Sequence, residues 1–200
     1  VKQERLQKNC ELPKWFVVKC QACRKCKLAR YRRQVVIGRG DVPADLLFIG
    51  EAPGKTEDLL GEAFVGPAGK LLDKMLQKAC SLSIVDKILN SREIDRIKNI
   101  TYYITNTILC HPTDEREGDN RQPNSYEVNL CTSHIMQIYN MVKPKRVILI
   151  GKVADKYYAK EFREAIRIQH PAFILRQGGI NSPHFLNNAR TLSELFTEFI

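Results

Sequence analysis

The chain is predicted to fold as a three-layer α/β protein, with a mainly parallel four-stranded sheet between two layers of helices. Two observations carry that prediction. Short runs of aliphatic, β-branched and aromatic residues, at 35–37, 46–49, 102–109 and 146–151, read as strands. Longer segments with apolar residues at helical spacing separate them. Strands that alternate with helices build a parallel sheet covered on both faces. The length of 200 residues suits a single domain over 1–200 with a substantial core.

Taken in order, residues 1–19 mix charge with Leu12, Trp15, Phe16 and Val17 and predict a helix leading into a cysteine cluster. Val35-Val36-Ile37 reads as a short strand ended by Gly38-Arg39-Gly40, and Leu46–Ile49 as a buried strand. Residues 69–80 place Leu71, Leu72, Met75, Leu76 and Ala79 on one helical face. Residues 83–90 are compatible with a helix, and the following SREIDRIKN reads as polar and exposed. Tyr102–Leu109 has the content of a central strand, interrupted by Asn106. Asn124 and Glu127 form a capping-box signature for a helix running to Val142. Arg146–Gly151 is a further buried strand and 152–168 reads as helix. The His170-Pro171 pair excludes a helix interior, so HPAFILRQGG reads as a strand end entering a loop. The last ten residues pattern as a short amphipathic helix.

Thirty-two Lys and Arg against 22 Asp and Glu give a net charge of +10. Lys19, Arg24, Lys25, Lys27, Arg30, Arg32, Arg33 and Arg39 crowd the early chain. A solvated basic face and a polyanion-binding surface both account for them. No run approaches the ~18 apolar residues of a membrane span, and the charged start VKQERLQKNC lacks the apolar core of a signal peptide. The expectation is a cytoplasmic protein without a membrane partner. Val1 in place of a methionine suggests a trimmed start.

Seven cysteines, an odd number without a secretory signal, argue against a disulfide framework. Cys20, Cys23 and Cys26 have the close spacing of metal or cluster ligands, with no second tight pair to complete a zinc ribbon. Cys110 and Cys131 are the remaining candidates, and widely separated thiolates closing on such a pair are compatible with a [4Fe–4S] cluster. Cys80 ends an apolar stripe and reads as core.

The stretch GEAPGKTEDLLGEAFVGPAG, residues 50–69, lies between a strand and a helix, where open α/β sheets bind ligands. Glu51, Glu57, Asp58 and Glu62 make it unlike a phosphate cradle and suit donors on a base or a water. No GxxxxGK[ST] sequence is present, which disfavours a nucleotide hydrolase.

Cys23-x2-Cys26, GEAPG-x2-ED, AFVGPAG, ITN, Cys110, NRxP, Cys131 and HPAFILR follow one another along the chain. In this order they resemble the family 4 uracil-DNA glycosylases, the iron–sulfur branch of the uracil-DNA glycosylase superfamily, over roughly residues 20–176. The resemblance implies that uracil-containing DNA, single- or double-stranded, is the substrate. Its uracil would be flipped into a pocket and its N-glycosidic bond hydrolysed to leave an abasic site. Phe64 would stack the base, and Asn106 would read its edge. His170 would donate to O2 as negative charge develops there. Glu51 and Ala52 would line the pocket, with Glu51 also positioned for the water or the cationic sugar, and Glu57 would be a polar contact. Phe64 as core, and Asn106 and His170 as structural hydrogen bonders, are the competing readings. Phe173 and Leu175 would wedge into the duplex and Arg176 would meet a phosphate, while Ile174 suits burial. Asp58 and Glu62 suit solvent.

By the same resemblance, Cys23, Cys26, Cys110 and Cys131 would ligate a structural [4Fe–4S] cluster, with Cys20 left over. A bacterial, archaeal or viral monomer is expected, with a replication or repair protein as a further partner. No lysine is placed as an amine nucleophile, so strand cleavage is not expected. Three features depart from the pattern. An acidic insert at Asp114–Asp119 lengthens the Cys110–Cys131 interval, and His111 stands where an arginine is common. Only 18 residues separate Gly151 from His170, which predicts a trimmed chain lacking a strand before the HP pair. A non-catalytic binder on the same fold and an iron–sulfur electron carrier are the rival functions.

Overall fold

The computed structural model describes residues 11–85, 87–116 and 118–200, so Cys10 and the start of the expected N-terminal helix lie outside the described residues. The described part of that helix, α1, is Lys14–Gln21. There follow β1 (Arg39–Gly40), β2 (Leu46–Gly50), α2 (Lys55–Leu60), α3 (Pro67–Val85), α4 (Ser91–Lys98) and β3 (Tyr102–Asn106). The second half holds α5 (Ser125–Val142), β4 (Arg146–Ile150), α6 (Gly151–Tyr158), β5 (Ile166–Ile168), α7 (Pro171–Arg176) and α8 (Pro183–Phe196).

Among the described residues the sheet has five strands rather than four, in the order β1-β3-β2-β4-β5. All neighbours are parallel except β1 and β3. Because side chains alternate across a strand, Leu47 and Ile49 enter one core while Leu46 and Phe48 enter the other. The first core receives Phe16 of α1, Ile135 and Ile138 of α5 and Tyr158 of α6. The second receives Leu72 and Met75 of α3 with Leu192 and Phe196 of α8. The expected three layers are therefore present. Burial on both faces is what makes β2 a continuous apolar run.

Several boundaries differ from expectation for identifiable reasons. Val35–Ile37 is buried but not a strand; the Val36 N–H bonds instead to the Leu109 carbonyl at 2.8 Å. Residues 152–168 do not form one helix. The chain turns after α6, and Ile166–Ile168 pairs with β4 through Ile148↔Ile166 and Ile150↔Ile168. A strand thus precedes His170 despite the short interval, which corrects the expectation of a missing one. His170 caps α7 with Pro171 at its first position, where the missing proline N–H costs nothing, so the expected loop is a helix. The polar SREIDRIKN segment forms α4 under an Asn90–Glu93 capping box, with Ile97 buried. The C-terminal helix begins at Pro183, earlier than the last ten residues. The Asn124–Glu127 box opens α5 as its sequence indicates. No helix among the described residues is long and apolar enough to cross a membrane.

Candidate active site

The parallel strands end together on one side of the sheet, and their carboxyl ends frame a cleft of about 1140 Å³. Glu51, Ala52, Glu57, Phe64, Asn106 and His170 all line it, as do Phe173, Leu175 and Arg176. β2 and β3 are locked at this end because the Gly50 carbonyl accepts from both the Thr107 N–H (2.8 Å) and the Thr107 hydroxyl (2.7 Å). Gly50 has a steric reason to be glycine: a Cβ there would collide with the Phe64 ring and stand 2.7 Å from Asn106 Oδ1. The ring and the amide therefore meet over its bare backbone.

The loop after β2 is held by Glu57. Its two carboxylate oxygens accept from the Gly54 N–H at 3.1 Å and the Gly66 N–H at 2.7 Å, joining the two ends of the loop. Charge-assisted bonds of this kind are the stronger ones. Glu57 lines the cleft with both oxygens already engaged. Phe64 is 6% exposed and adopts φ +55°, a left-handed conformation costing ~1–3 kcal/mol for a bulky residue. Arg39 supports it by donating to the Phe64 carbonyl at 3.3 Å while pairing with Asp73. Asp58 is only 5% exposed, contrary to the expectation that it is solvated. It accepts the Arg33 N–H at 3.0 Å and ties α2 to the basic segment.

Asn106 is buried at 1% exposure, and neither its Oδ1 nor its Nδ2 has a hydrogen-bond partner among the described residues. A buried amide left this way costs ~1–3 kcal/mol. The observation points away from a structural strand-end bond and toward a ligand that supplies one donor and one acceptor.

His170 closes the opposite wall, its ring centroid 6.1 Å from that of Phe64 and tilted by 34°. Gly151, with φ +82°, begins α6 against it; a Cβ there would stand 2.8 Å from His170 Cβ. The Nδ1 atom accepts the Ala172 N–H at 3.2 Å, so the proton of the neutral ring belongs on Nε2. Burial, with a smaller push from the Arg176 charge, lowers the imidazole pKa to about 4. The ring is a neutral donor at physiological pH. Glu51 is half-buried; desolvation raises its carboxyl above the usual range, and Arg176 opposes that. Phe173 and Leu175 are 37% and 39% exposed at the rim, with Arg176 exposed beside them, while Ile174 is fully buried as expected.

The cysteines gather elsewhere, behind the loop after β3. Cys110 is buried, and Cys23, Cys26 and Cys131 are partly buried. Each of the Cys110 and Cys131 thiols feels the charge of Cys23 and Cys26. Burial is the main influence on Cys110, raising it to about 12. Arg32 spans the group, donating to Cys110 Sγ at 3.4 Å and to the Cys23 carbonyl. Cys20 is fully buried with Sγ 3.7 Å from His134 Nδ1, and it too feels the charge of Cys23. Cys80 is half-buried against the second core. Among the described residues, no three His, Cys, Asp or Glu side chains are gathered around a point where one metal ion would sit. His111 is buried and bonds Asn120 at 2.6 Å. In the acidic insert, Asp114 pairs with Arg121, which also bridges to buried Glu127.

Sequence reasoning did not single out Gly151 or Asn188 as lining the cleft, nor Arg32 as a partner of the cysteines. A lone buried Asn on the apolar side of an amphipathic helix was the available signal for Asn188.

An aromatic wall, an unpaired buried amide and a neutral imidazole donor thus meet at the strand ends of an α/β sheet. Comparison with known proteins gives the lineage. A model of the uracil DNA glycosylase superfamily matches residues 37–192. A type-4 uracil-DNA glycosylase of Archaeoglobus fulgidus is 31% identical over 168 residues, covering 82% of this chain and 74% of that protein. Those of Saccharolobus solfataricus and Pyrobaculum aerophilum are 33% and 35% identical, covering 70% and 67% of this chain. The chain spans 55% and 58% of their lengths. The chain belongs to the uracil DNA glycosylase superfamily, on its type-4 branch.

Proposed function

We propose that this chain is a uracil-DNA glycosylase that hydrolyses the N-glycosidic bond of deoxyuridine in DNA, leaving an abasic site without cutting the strand. The observation that carries the reading is Asn106, a buried amide with both polar atoms unpaired on the wall of the cleft. Uracil presents O4 as an acceptor beside N3–H as a donor, so Nδ2 donates to the first and Oδ1 accepts from the second. Cytosine presents the reverse pattern and leaves both partners mismatched, which is where large discrimination arises. The base enters the cleft flipped from the stack, against the Phe64 ring and beside Ala52. Glu57 acts through the loop it ties together.

As the C1′–N1 bond lengthens, negative charge collects on the uracil and positive charge on the sugar. His170 Nε2–H donates to O2 of the departing base. Its neutral state matters, because the ring stabilises the anion by a hydrogen bond without needing to lose or carry an extra proton. Glu51 faces the sugar side, where its carboxylate stabilises the cationic centre and orients the attacking water. Arg176 meets a phosphate, and Phe173 and Leu175, exposed at the rim, fill the space vacated by the flipped nucleotide.

Cys23, Cys26, Cys110 and Cys131 would hold a [4Fe–4S] cluster. An all-thiol donor set suits iron and sulfur, and the mutual influence of these thiols together with the Arg32 bond to Cys110 fits such a group. Through these residues such a group would tie the basic N-terminal segment to the 110–131 stretch.

Incubation with a labelled uracil oligonucleotide, followed by alkali, tests the function. Cleavage at the uracil only after alkali is expected, from protein containing about four iron atoms per chain. Retention of uracil-DNA without turnover would select a binding protein, and strand scission without alkali would reject simple hydrolysis.

A further inference from the structure

His170 sits two residues beyond the end of the sheet, where no strand partner fixes the backbone. Strand β5 ends at Ile168, so the N–H and carbonyl of Gln169 have left the ladder. Asn188, on α8, supplies both missing partners. Its Oδ1 accepts the Gln169 N–H at 3.2 Å, and its Nδ2 donates to the Gln169 carbonyl at 2.9 Å. One side-chain amide thus imitates a neighbouring strand for the single residue that precedes His170.

Asn188 is 6% exposed, and both atoms of its amide that can hydrogen-bond are committed to this one backbone unit. The helix that carries it is a rigid platform, because Ala189, Leu192, Leu195 and Phe196 are buried in the second core. On its other side His170 is bounded by the Gly151 backbone and by the Ala172 N–H. These contacts set the ring's rotation. The His170 carbonyl accepts the Phe173 N–H at 2.9 Å and the Ile174 N–H at 3.2 Å, so α7 holds the Cα from one side and the 169–170 peptide holds it from the other.

We propose that Asn188 is a positioning residue for the reaction. By clamping both sides of Gln169 it places His170 at the height on the cleft wall where Nε2–H meets the departing base. The inference rests on the glycosylase reading given above. Misplacing a reacting group by about 1 Å can cost on the order of 100-fold in rate, so the clamp acts on chemistry more than on DNA affinity.

A double-mutant cycle on the full chain tests this. Single-turnover excision and the dissociation constant for a uracil oligonucleotide are measured for wild type, Asn188→Ala, His170→Ala and the double variant. The expected result is a roughly 10- to 100-fold slower rate for Asn188→Ala with DNA affinity within about twofold. In the His170→Ala background the same change should have almost no further effect, since residues acting through one another are not additive. Should Asn188→Ala not fold, Asn188→Asp takes its place in the cycle; it keeps the acceptor for the Gln169 N–H and loses only the donor. An unchanged rate, an equal loss in both backgrounds, or a loss confined to affinity overturns the proposal. Wild-type protein that releases no uracil overturns the glycosylase reading itself, an outcome distinct from an active wild type with an indifferent Asn188.

Discussion

His170→Ala should slow single-turnover excision by about 100- to 1,000-fold, because removing one oriented donor from a site of developing negative charge costs roughly 3–4 kcal/mol. DNA affinity should change little, since the bond strengthens as the base departs. The same substitution should alter acid stability in a direction set by the depressed pKa. The folded imidazole titrates at about 4 and the unfolded one near 6.5, so the unfolded chain binds the proton first. Stability therefore falls as pH drops from about 6.5 to 4, by roughly 3 kcal/mol at 1.4 kcal/mol per pH unit. His170→Ala removes that contribution. Melting temperatures at pH 7 and pH 4 should lie closer together in the variant than in wild type. An equal acid loss in both would show that His170 is not held neutral by the fold.

Asn106→Leu separates a ligand-reading amide from a structural one more sharply than any other change. The leucine keeps the branching and heavy-atom count of the asparagine, is somewhat bulkier, and places no polar atom in the wall. Excision of uracil should fall by at least 1,000-fold, since a pocket built to hydrogen-bond one edge loses ~10⁴ in discrimination when that bonding is removed. Stability should hold or rise, because the buried amide has no protein partner to lose and its desolvation cost of ~1–3 kcal/mol disappears. For a chain of this length each kcal/mol moves the melting temperature by ~2–4 °C. Inactivity with a higher or unchanged Tm is the expected pair of results. A drop of several degrees would instead identify Asn106 as a structural bonder.

The features legible in the sequence are those that arise locally. The capping box at Asn124 and Glu127 announces α5 because both partners lie within one turn. Leu46–Ile49 announces a buried strand because both of its faces meet apolar cores. β5 was hidden for the opposite reason. It has three residues with Arg167 between two isoleucines, and only its pairing with β4 makes it a strand. Helix α7 was hidden by a proline that stops a helix from within yet starts one at its first position. Within the site, the ordered motifs pointed to Glu51, Phe64, Asn106 and His170, and the fold brings all four to one cleft. Asp58 was assigned to solvent and Asn188 escaped notice because their meaning lies in backbone they reach across 25 and 19 residues of chain. No local pattern encodes which distant peptide a buried polar side chain will satisfy.

The strand order has a consequence for when the site comes into being. Its walls come from the ends of β2, β3 and β5, in that order along the chain. During synthesis, Phe64 and Asn106 leave the ribosome well before His170, and the clamp on His170 waits for α8. A nascent chain, or one clipped after β4, therefore holds half a pocket: the aromatic wall and the reading amide without the imidazole opposite them. The site is complete only once α8 has joined the sheet and Asn188 has met Gln169.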